Sequence, residues 1–443
     1  MKKLKRWQEP IYALGSFGPG FMYQIVMTYL LYYYRPATAQ IEAGALVLAP
    51  TGAYAIGMLA ARILDGLVDI PIATWTDNLK SRWGRRRPLM VIGLIPTVAT
   101  FILLWYPPLT GLHLEEFGHW GNAIYASVLS TIYFFFHTLI IVPYLASLSE
   151  IVKDEQARVR VASMQTLFNT AGAVLTFVVA PILFERFGVR GAIWMLVPAA
   201  LSFLGPILVI KESSTLDGPD HPREESQDVP LWESLKLTLT NRPFSIYMLT
   251  NATFFFGLQF LLGGIAFIAI DVMGLREAQL GLMNLAAFAP VPVMLVLFNY
   301  LVRKKGSKWA FRFGLLVCAV AVMFFPLGWR ELNLPVPPMI MGIIAMSLGS
   351  FPIAVFFTVP YAFPAQIAAV EARQTGTDRA GMYFAVQGVI NQFMGGLAAS
   401  LLAFLLNWQY GAMAISPIAS LCCILAYFFF APYPLGKPKD QNL

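Results

Sequence analysis

The chain has 443 residues, 58% of them hydrophobic and only 12% charged, with a formal net charge of +7 and a mean hydropathy of +0.64. A soluble domain carries about 25% charged residues, so this chain has too little polar surface to cover a globule in water. A soluble globule is therefore excluded, and the bilayer is the solvent.

The hydrocarbon core of a bilayer is about 30 Å thick and takes about 20 apolar residues per helical span. Runs of that length recur along the sequence. They are apolar on all sides, as in Leu89–Trp105, rather than alternating in segments of about ten as in a membrane barrel. Helices are favoured, because each satisfies its backbone polar groups within the segment.

In chain order, the expected spans are 11–34, 43–70, 86–106, 122–149, 162–184 and 191–210, then 244–270, 279–302, 309–328, 338–364, 381–405 and 409–433. The basic start, Met1–Arg6, has no cleavage pattern after it and reads as a cytoplasmic tail. With that end inside, 25 of the 31 Lys and Arg fall in inside loops and tails, five fall outside, and Arg62 lies within a span. This asymmetry predicts twelve crossings with both ends cytoplasmic, and it accounts for the positive charge without a nucleic-acid partner.

The longest polar stretch, Lys211–Arg242, follows the sixth span and divides the chain into two halves of six. The expected organisation is a six-helix bundle over 1–210, a cytoplasmic loop over 211–243, a second bundle over 244–433 and a tail over 434–443. Trp232–Leu239 reads as a short amphipathic helix at the membrane surface. Two halves of six joined by a cytoplasmic loop resemble the major facilitator architecture. Cys318, Cys422 and Cys423 all lie in apolar spans and match neither a disulfide framework nor a zinc pattern.

The second span holds Ala61-Arg62-Ile-Leu-Asp65-Gly-Leu-Val-Asp69. An ionisable group within a span costs roughly 2.5–3.5 kcal/mol on insertion scales and marks a functional site by default. Offsets of three and four place Arg62, Asp65 and Asp69 on one helix face. Two carboxylates and one cation in that arrangement can exchange a small cation. Asp65 and Asp69 are hard oxygen ligands suited to Na+; equally, burial and like charge can hold a proton on one of them. Both readings stay open. A purely structural ion pair would leave the second carboxylate unused.

These residues, followed by Ser81-Arg-Trp-Gly-Arg-Arg-Arg-Pro88, resemble the glycoside–pentoside–hexuronide:cation symporters. Tyr12–Gly18 and Tyr29–Tyr34 in the first span agree, as does Tyr383-Phe-Ala-Val-Gln387 in the eleventh. The resemblance implies cation-coupled (H+ or Na+) import of a glycoside or sugar-like solute, with Asp65 and Asp69 holding the coupling cation and Thr138 a third ligand. No other cofactor is implied. An asparagine of the family's motif is Val68 here, which favours protons.

The family's charged sugar clamp is absent. Its two sugar-binding aspartates fall at Gly20 and Ile141, its arginine at Thr166 and its lysine at Gln392. The candidate neutral replacements are Gln24, His137, Gln165, Thr166, Asn169, Asn391 and Gln392, beside the aromatic run Tyr133–Phe136. For any single amide the alternative is an interhelical hydrogen bond, and the phenylalanines alone read as lipid-facing packing. An animal branch of the family carries lysolipids, so an amphiphile is the alternative cargo.

The loop after the second span reads as a gate. Gly84 permits a tight turn, and Arg85, Arg86 and Arg87 can pair with helix-end carboxylates such as Glu150, with Asp77 taking part. An enzyme is not expected: of the four histidines only His137 lies in a span, and no His-Glu-x-x-His or Gly-x-Ser-x-Gly element occurs. The expected protein acts as a monomer in the inner membrane, with lipids and a small solute as its partners.

Overall fold

The computed structural model describes residues 5–110, 118–151, 155–210, 231–375 and 380–434, and among these there is no strand. Helix occupies each of the twelve expected intervals. Nine stretches among the described residues are long and apolar enough to cross a membrane. Arg87–Leu103 is apolar but shorter, and Met164–Val209 covers two expected spans in one. The chain forms two compact units, Met1–His221 and Pro222–Leu443. Most of the expected central loop, residues 211–230, lies outside the described residues. The helix expected around Trp232–Leu239 runs Leu231–Thr240.

In the first unit the main helices are α1 Phe17–Tyr34, α2 Thr51–Asn78, α3 Arg87–Leu103, α4 Trp120–Ile151, α5 Glu155–Val174 and α6 Ala180–Leu196. Proline sets several of their limits. Arg35, before Pro36, is extended and ends α1, and Pro50 is the N-cap of α2. Between the fifth and sixth expected spans no loop intervenes. Helix continues on both sides of Gly188, whose φ of 67° turns the chain where other residues would be strained.

α4 packs against both α2 and α3, and α1 packs against α5. Gly57 allows the closest approach of α2 to α4: a Cβ there would overlap the Ser127 Oγ and lie 2.6 Å from its Cβ. At one end, Glu9 accepts two hydrogen bonds from Arg160, at 2.7 and 2.6 Å. Beside them, Tyr12 Oη donates to the Tyr144 carbonyl at 2.7 Å while Tyr144 Oη donates to the Tyr12 carbonyl at 3.0 Å. These reciprocal bonds fix the start of the chain to α4 and α5.

The second unit comprises α7 Arg242–Phe267, α8 Glu277–Phe288, α9 Val291–Lys305, α10 Ser307–Val322, α11 Pro338–Thr375, α12 Ala380–Leu405 and α13 Gly411–Phe429. The stretch from Arg242 to Val272 is 72% buried over its most apolar window, against 22% for Glu277–Lys305. α7 is therefore the inner helix, packed on α12 and α13, while α8 and α9 present side chains outward. The prolines of these helices divide into two groups. Pro290 separates α8 from α9, whereas Pro143, Pro352, Pro360 and Pro364 sit inside continuous helix. Neighbouring helices can re-satisfy the carbonyls that a proline leaves bare in such an environment. Cys318, Cys422 and Cys423 are free and buried.

Candidate functional site

Arg62 and Asp65 face inward from α2 with 1% and 4% of their surface exposed. A buried charge needs a partner, and each has one. Arg62 Nη1 donates to Asp65 Oδ2 at 2.6 Å. The other carboxylate oxygen, Oδ1, accepts from Thr138 Oγ1 of α4 at 2.9 Å. Asp69, one turn further along α2, is half-buried. Arg62, Asp65 and Thr138 are thus joined across two helices, with the second carboxylate on the same helix face.

The guanidinium has two further neighbours that sequence reading did not single out. Its Nη2 donates to Tyr23 Oη of α1 at 2.8 Å, and its carbon lies 4.6 Å from the centre of the Phe134 ring. A cation over an aromatic face is attracted by the ring quadrupole. This corrects the lipid-facing reading for Phe134, which is fully buried against the cation; Phe135 and Phe136 are half-buried. A tyrosine hydroxyl in an apolar span needs a partner, but nothing in the sequence marks Tyr23 out from the other tyrosines.

His137 stands next to Thr138 and faces the same cluster. Its Nε2 is 3.2 Å from the Pro19 carbonyl of α1, and its ring lies 5.5 Å from that of Tyr23 and 5.8 Å from that of Tyr133. Gln24 is half-buried on α1. Gly20, where the family's aspartate would stand, faces α5, and a Cβ there would come within 2.7 Å of Asn169 Oδ1. The space for the missing acid is therefore lined by a neutral amide. Thr166 and Asn169 are exposed on α5. Gln165 donates to Tyr144 Oη at 2.8 Å, which ties it to the Tyr12–Tyr144 pair rather than leaving its amide group open.

The second unit holds Asn391 and Gln392, both half-buried on α12. Asn251 Nδ2 of α7 donates to Asn391 Oδ1 at 2.7 Å. One turn away, Tyr247 Oη donates to Gln387 Oε1 at 2.7 Å, and Gln387 Nε2 donates to the Pro360 carbonyl at 3.0 Å. Below these, Asn241 Nδ2 donates to Tyr383 Oη and Tyr383 Oη to Glu371 Oε2, each at 2.7 Å. Polar rungs therefore bind α7, α11 and α12. Gln387 has both ends of its amide engaged, whereas the amide nitrogen of Asn391 is left to donate elsewhere. Asn391→Leu strands the buried Asn251 amide, and is expected to lower unfolding stability by about 1–3 kcal/mol; an unchanged melting temperature would remove Asn251 from this role.

At the expected gate, Gly84 has φ of 92° and its N–H donates to the Ser81 carbonyl at 3.3 Å. Arg86 is buried at the start of α3, and Arg85 and Arg87 are half-buried beside it. The side chains of Asp77 and Glu150 lie outside the described residues.

Arg62, Asp65 and Thr138 thus form a buried polar cluster in a fold that is all-helical among the described residues. The family model described as MFS/sugar transport protein matches residues 11–437, so the chain belongs to that family, and it is a multi-pass transporter of the inner membrane. The uncharacterized symporter YnaJ of Bacillus subtilis (strain 168) is 27% identical over 74% of this chain and 68% of its own length. The isoprimeverose transporter of Lactiplantibacillus pentosus is 21% identical over 79% and 70%. The putative glycoside/cation symporter YagG of Escherichia coli (strain K12) is 28% identical over 37% and 32%. Among solved structures, a D-xylose-proton symporter superposes with a TM-score of 0.67 at 14% identity, covering 98% of this chain and 99% of that one. That likeness establishes the fold.

Proposed function

We propose that the protein is a secondary active symporter that uses an H+ or Na+ gradient to move a glycoside or other sugar-like solute by alternating access. It crosses the membrane twelve times with both ends in the cytoplasm, an orientation supported by the 25-to-5 distribution of basic residues. The observation that carries the coupling is the second carboxylate. Asp69 stands one turn along α2 from Asp65, which is held by Arg62 at 2.6 Å and by Thr138 at 2.9 Å, and two carboxylates on one helix face suit the binding of a monovalent cation. Relatives named for glycosides, isoprimeverose and glucuronides support a sugar-like cargo. The neutral candidates Gln24, His137, Asn169, Asn391 and Gln392 suit hydroxyl recognition without formal charge.

Thermal melting of the purified protein against glycosides, pentoses, uronides and lysolipids, each with and without sodium and at several pH values, tests this reading. A ligand at a hundred times its dissociation constant adds about 2.7 kcal/mol when it binds only the folded state. Stabilisation by a sugar, deepened by sodium or by acid, is the expected result. Stabilisation by lysolipid alone would overturn the sugar assignment.

A further inference from the structure

At the end of the second unit where α9 stops and α10 begins, five cations fall within ten residues: Arg303, Lys304, Lys305, Lys308 and Arg312. None of α9, α10 and α13 contains an acidic residue. α11, which also packs on α10, has one, Glu371, and it is engaged by Tyr383 at 2.7 Å. The three cations that end α9 are exposed, and a solvated cation needs no counter-ion. Arg312 differs. It lies about 7.5 Å along the α10 axis from Ser307 and is half-buried. Its Nε is buried with no hydrogen-bond partner among the described residues. The guanidinium rests on the Tyr427 ring of α13, 3.9 Å from its centre. A ring face attracts the cation, but it supplies none of the oxygen acceptors that a guanidinium's five N–H donors call for.

The surroundings decide which anion fits. On the neighbouring stripe of α10, Trp309 and Phe313 stack at 5.1 Å and 9°, and both are exposed. The Lys305 ammonium stands 4.2 Å from the centre of the Trp309 ring. Cations therefore adjoin an exposed aromatic surface, a pattern that takes a charged head and an apolar tail. Lys308 donates to the Ala431 and Tyr433 carbonyls at 2.7 and 2.6 Å. These bonds pin the chain one turn beyond Tyr427 to the first turn of α10.

We propose that Arg312, seated on Tyr427, binds the phosphate of an anionic phospholipid whose acyl chains lie against Trp309 and Phe313. A guanidinium fork engages phosphate through two parallel N–H bonds, and basic groups between membrane helices at the cytoplasmic surface suit anionic head groups. The site is separate from Arg62 and Asp65, and it stands whether or not the symport reading does.

The test uses the full chain, purified in a neutral detergent and stripped of lipid. Dioleoylphosphatidylglycerol, dioleoylphosphatidylcholine or inorganic phosphate is titrated in, and melting temperature and bound lipid (by native mass spectrometry) are followed. Phosphatidylglycerol is expected to bind saturably and raise the melting temperature, with phosphatidylcholine weaker and inorganic phosphate without effect. Arg312→Gln is expected to weaken phosphatidylglycerol binding about tenfold, the size of one hydrogen bond to a charged group. Lys304→Gln, at the same end but exposed, is expected to leave it unchanged.

Inorganic phosphate that stabilises as well as the lipid overturns the lipid assignment, and equal binding of the two lipids overturns the preference for an anionic head. Wild-type affinity in Arg312→Gln, or an equal loss in Lys304→Gln, overturns the site. Should Arg312→Gln fail to fold, Tyr427→Leu carries the test, since it removes the ring that seats the guanidinium. The same loss is expected there, and unchanged affinity overturns the proposal.

Discussion

Asp69→Asn is expected to abolish accumulation of solute against a gradient while the purified protein still inserts and melts close to the wild type. Asp65→Asn is expected to lose accumulation and stability together. The two carboxylates stand one turn apart on the same helix, but their surroundings differ. Asp65 is 4% exposed and is the 2.6 Å partner of a guanidinium that is itself 1% exposed. Neutralising it leaves that cation uncompensated, and removal of one partner from a buried pair costs about 3–5 kcal/mol. Asp69 is half-buried, so its amide isostere loses ion binding without the same penalty. Uptake into membrane vesicles under an imposed ion gradient, paired with melting in detergent, separates the two. Accumulation retained by both variants would remove the second helix from coupling altogether.

Gly57→Val is expected to be damaging although it lies away from the charges. A Cβ at this position would overlap Ser127 Oγ and come within 2.6 Å of the Ser127 Cβ. The far end of a flexible side chain can move aside, but a Cβ is fixed to the backbone, so α2 and α4 must separate. Overpacking of this kind costs about 1–3 kcal/mol. It also pulls Asp65 on α2 away from Thr138 on α4, a contact of 2.9 Å. A companion Ser127→Gly change empties that space and is expected to restore both melting temperature and ion response. If the double variant melts no better than Gly57→Val alone, the contact with Ser127 is not the cause.

The ionised cluster was legible because charge stands out in apolar sequence. Arg62, Asp65 and Asp69 are the ionisable residues of one span, at helical offsets, and their spacing alone places them on one face. Thr138 came only through family resemblance, since a threonine in a membrane helix bonds its own backbone as readily as a neighbour; Thr97 does so with the Gly93 carbonyl at 2.7 Å. Tyr23 was illegible for a related reason. It is one of 18 tyrosines, and its partner lies 39 positions away on another helix.

The amides show the same limit. Gln165 and Asn391 look alike in sequence as polar groups within apolar spans. Packing decides that Gln165 meets a tyrosine hydroxyl and that Asn391 keeps donors to spare beside Asn251. The helix boundaries were read to within a residue or so beside Pro36 and Gly84, but the second span, expected over 43–70, runs Thr51–Asn78 from its N-cap Pro50. They were read less well at Gly188, where one residue with φ of 67° stands in for a loop.

The three cysteines carry a practical consequence. All lie in the second unit, and Cys318, Cys422 and Cys423 expose 5%, 8% and 2% of their surface. Their thiols are shielded from hydrophilic maleimides while the protein stays folded. A cysteine introduced at an exposed site, such as Lys80 at the end of α2 or Lys304 at the end of α9, would then be the one that reacts. Spin labels or fluorophores at both sites would report whether the distance between the two units changes when ion and solute are added, on the native cysteine background.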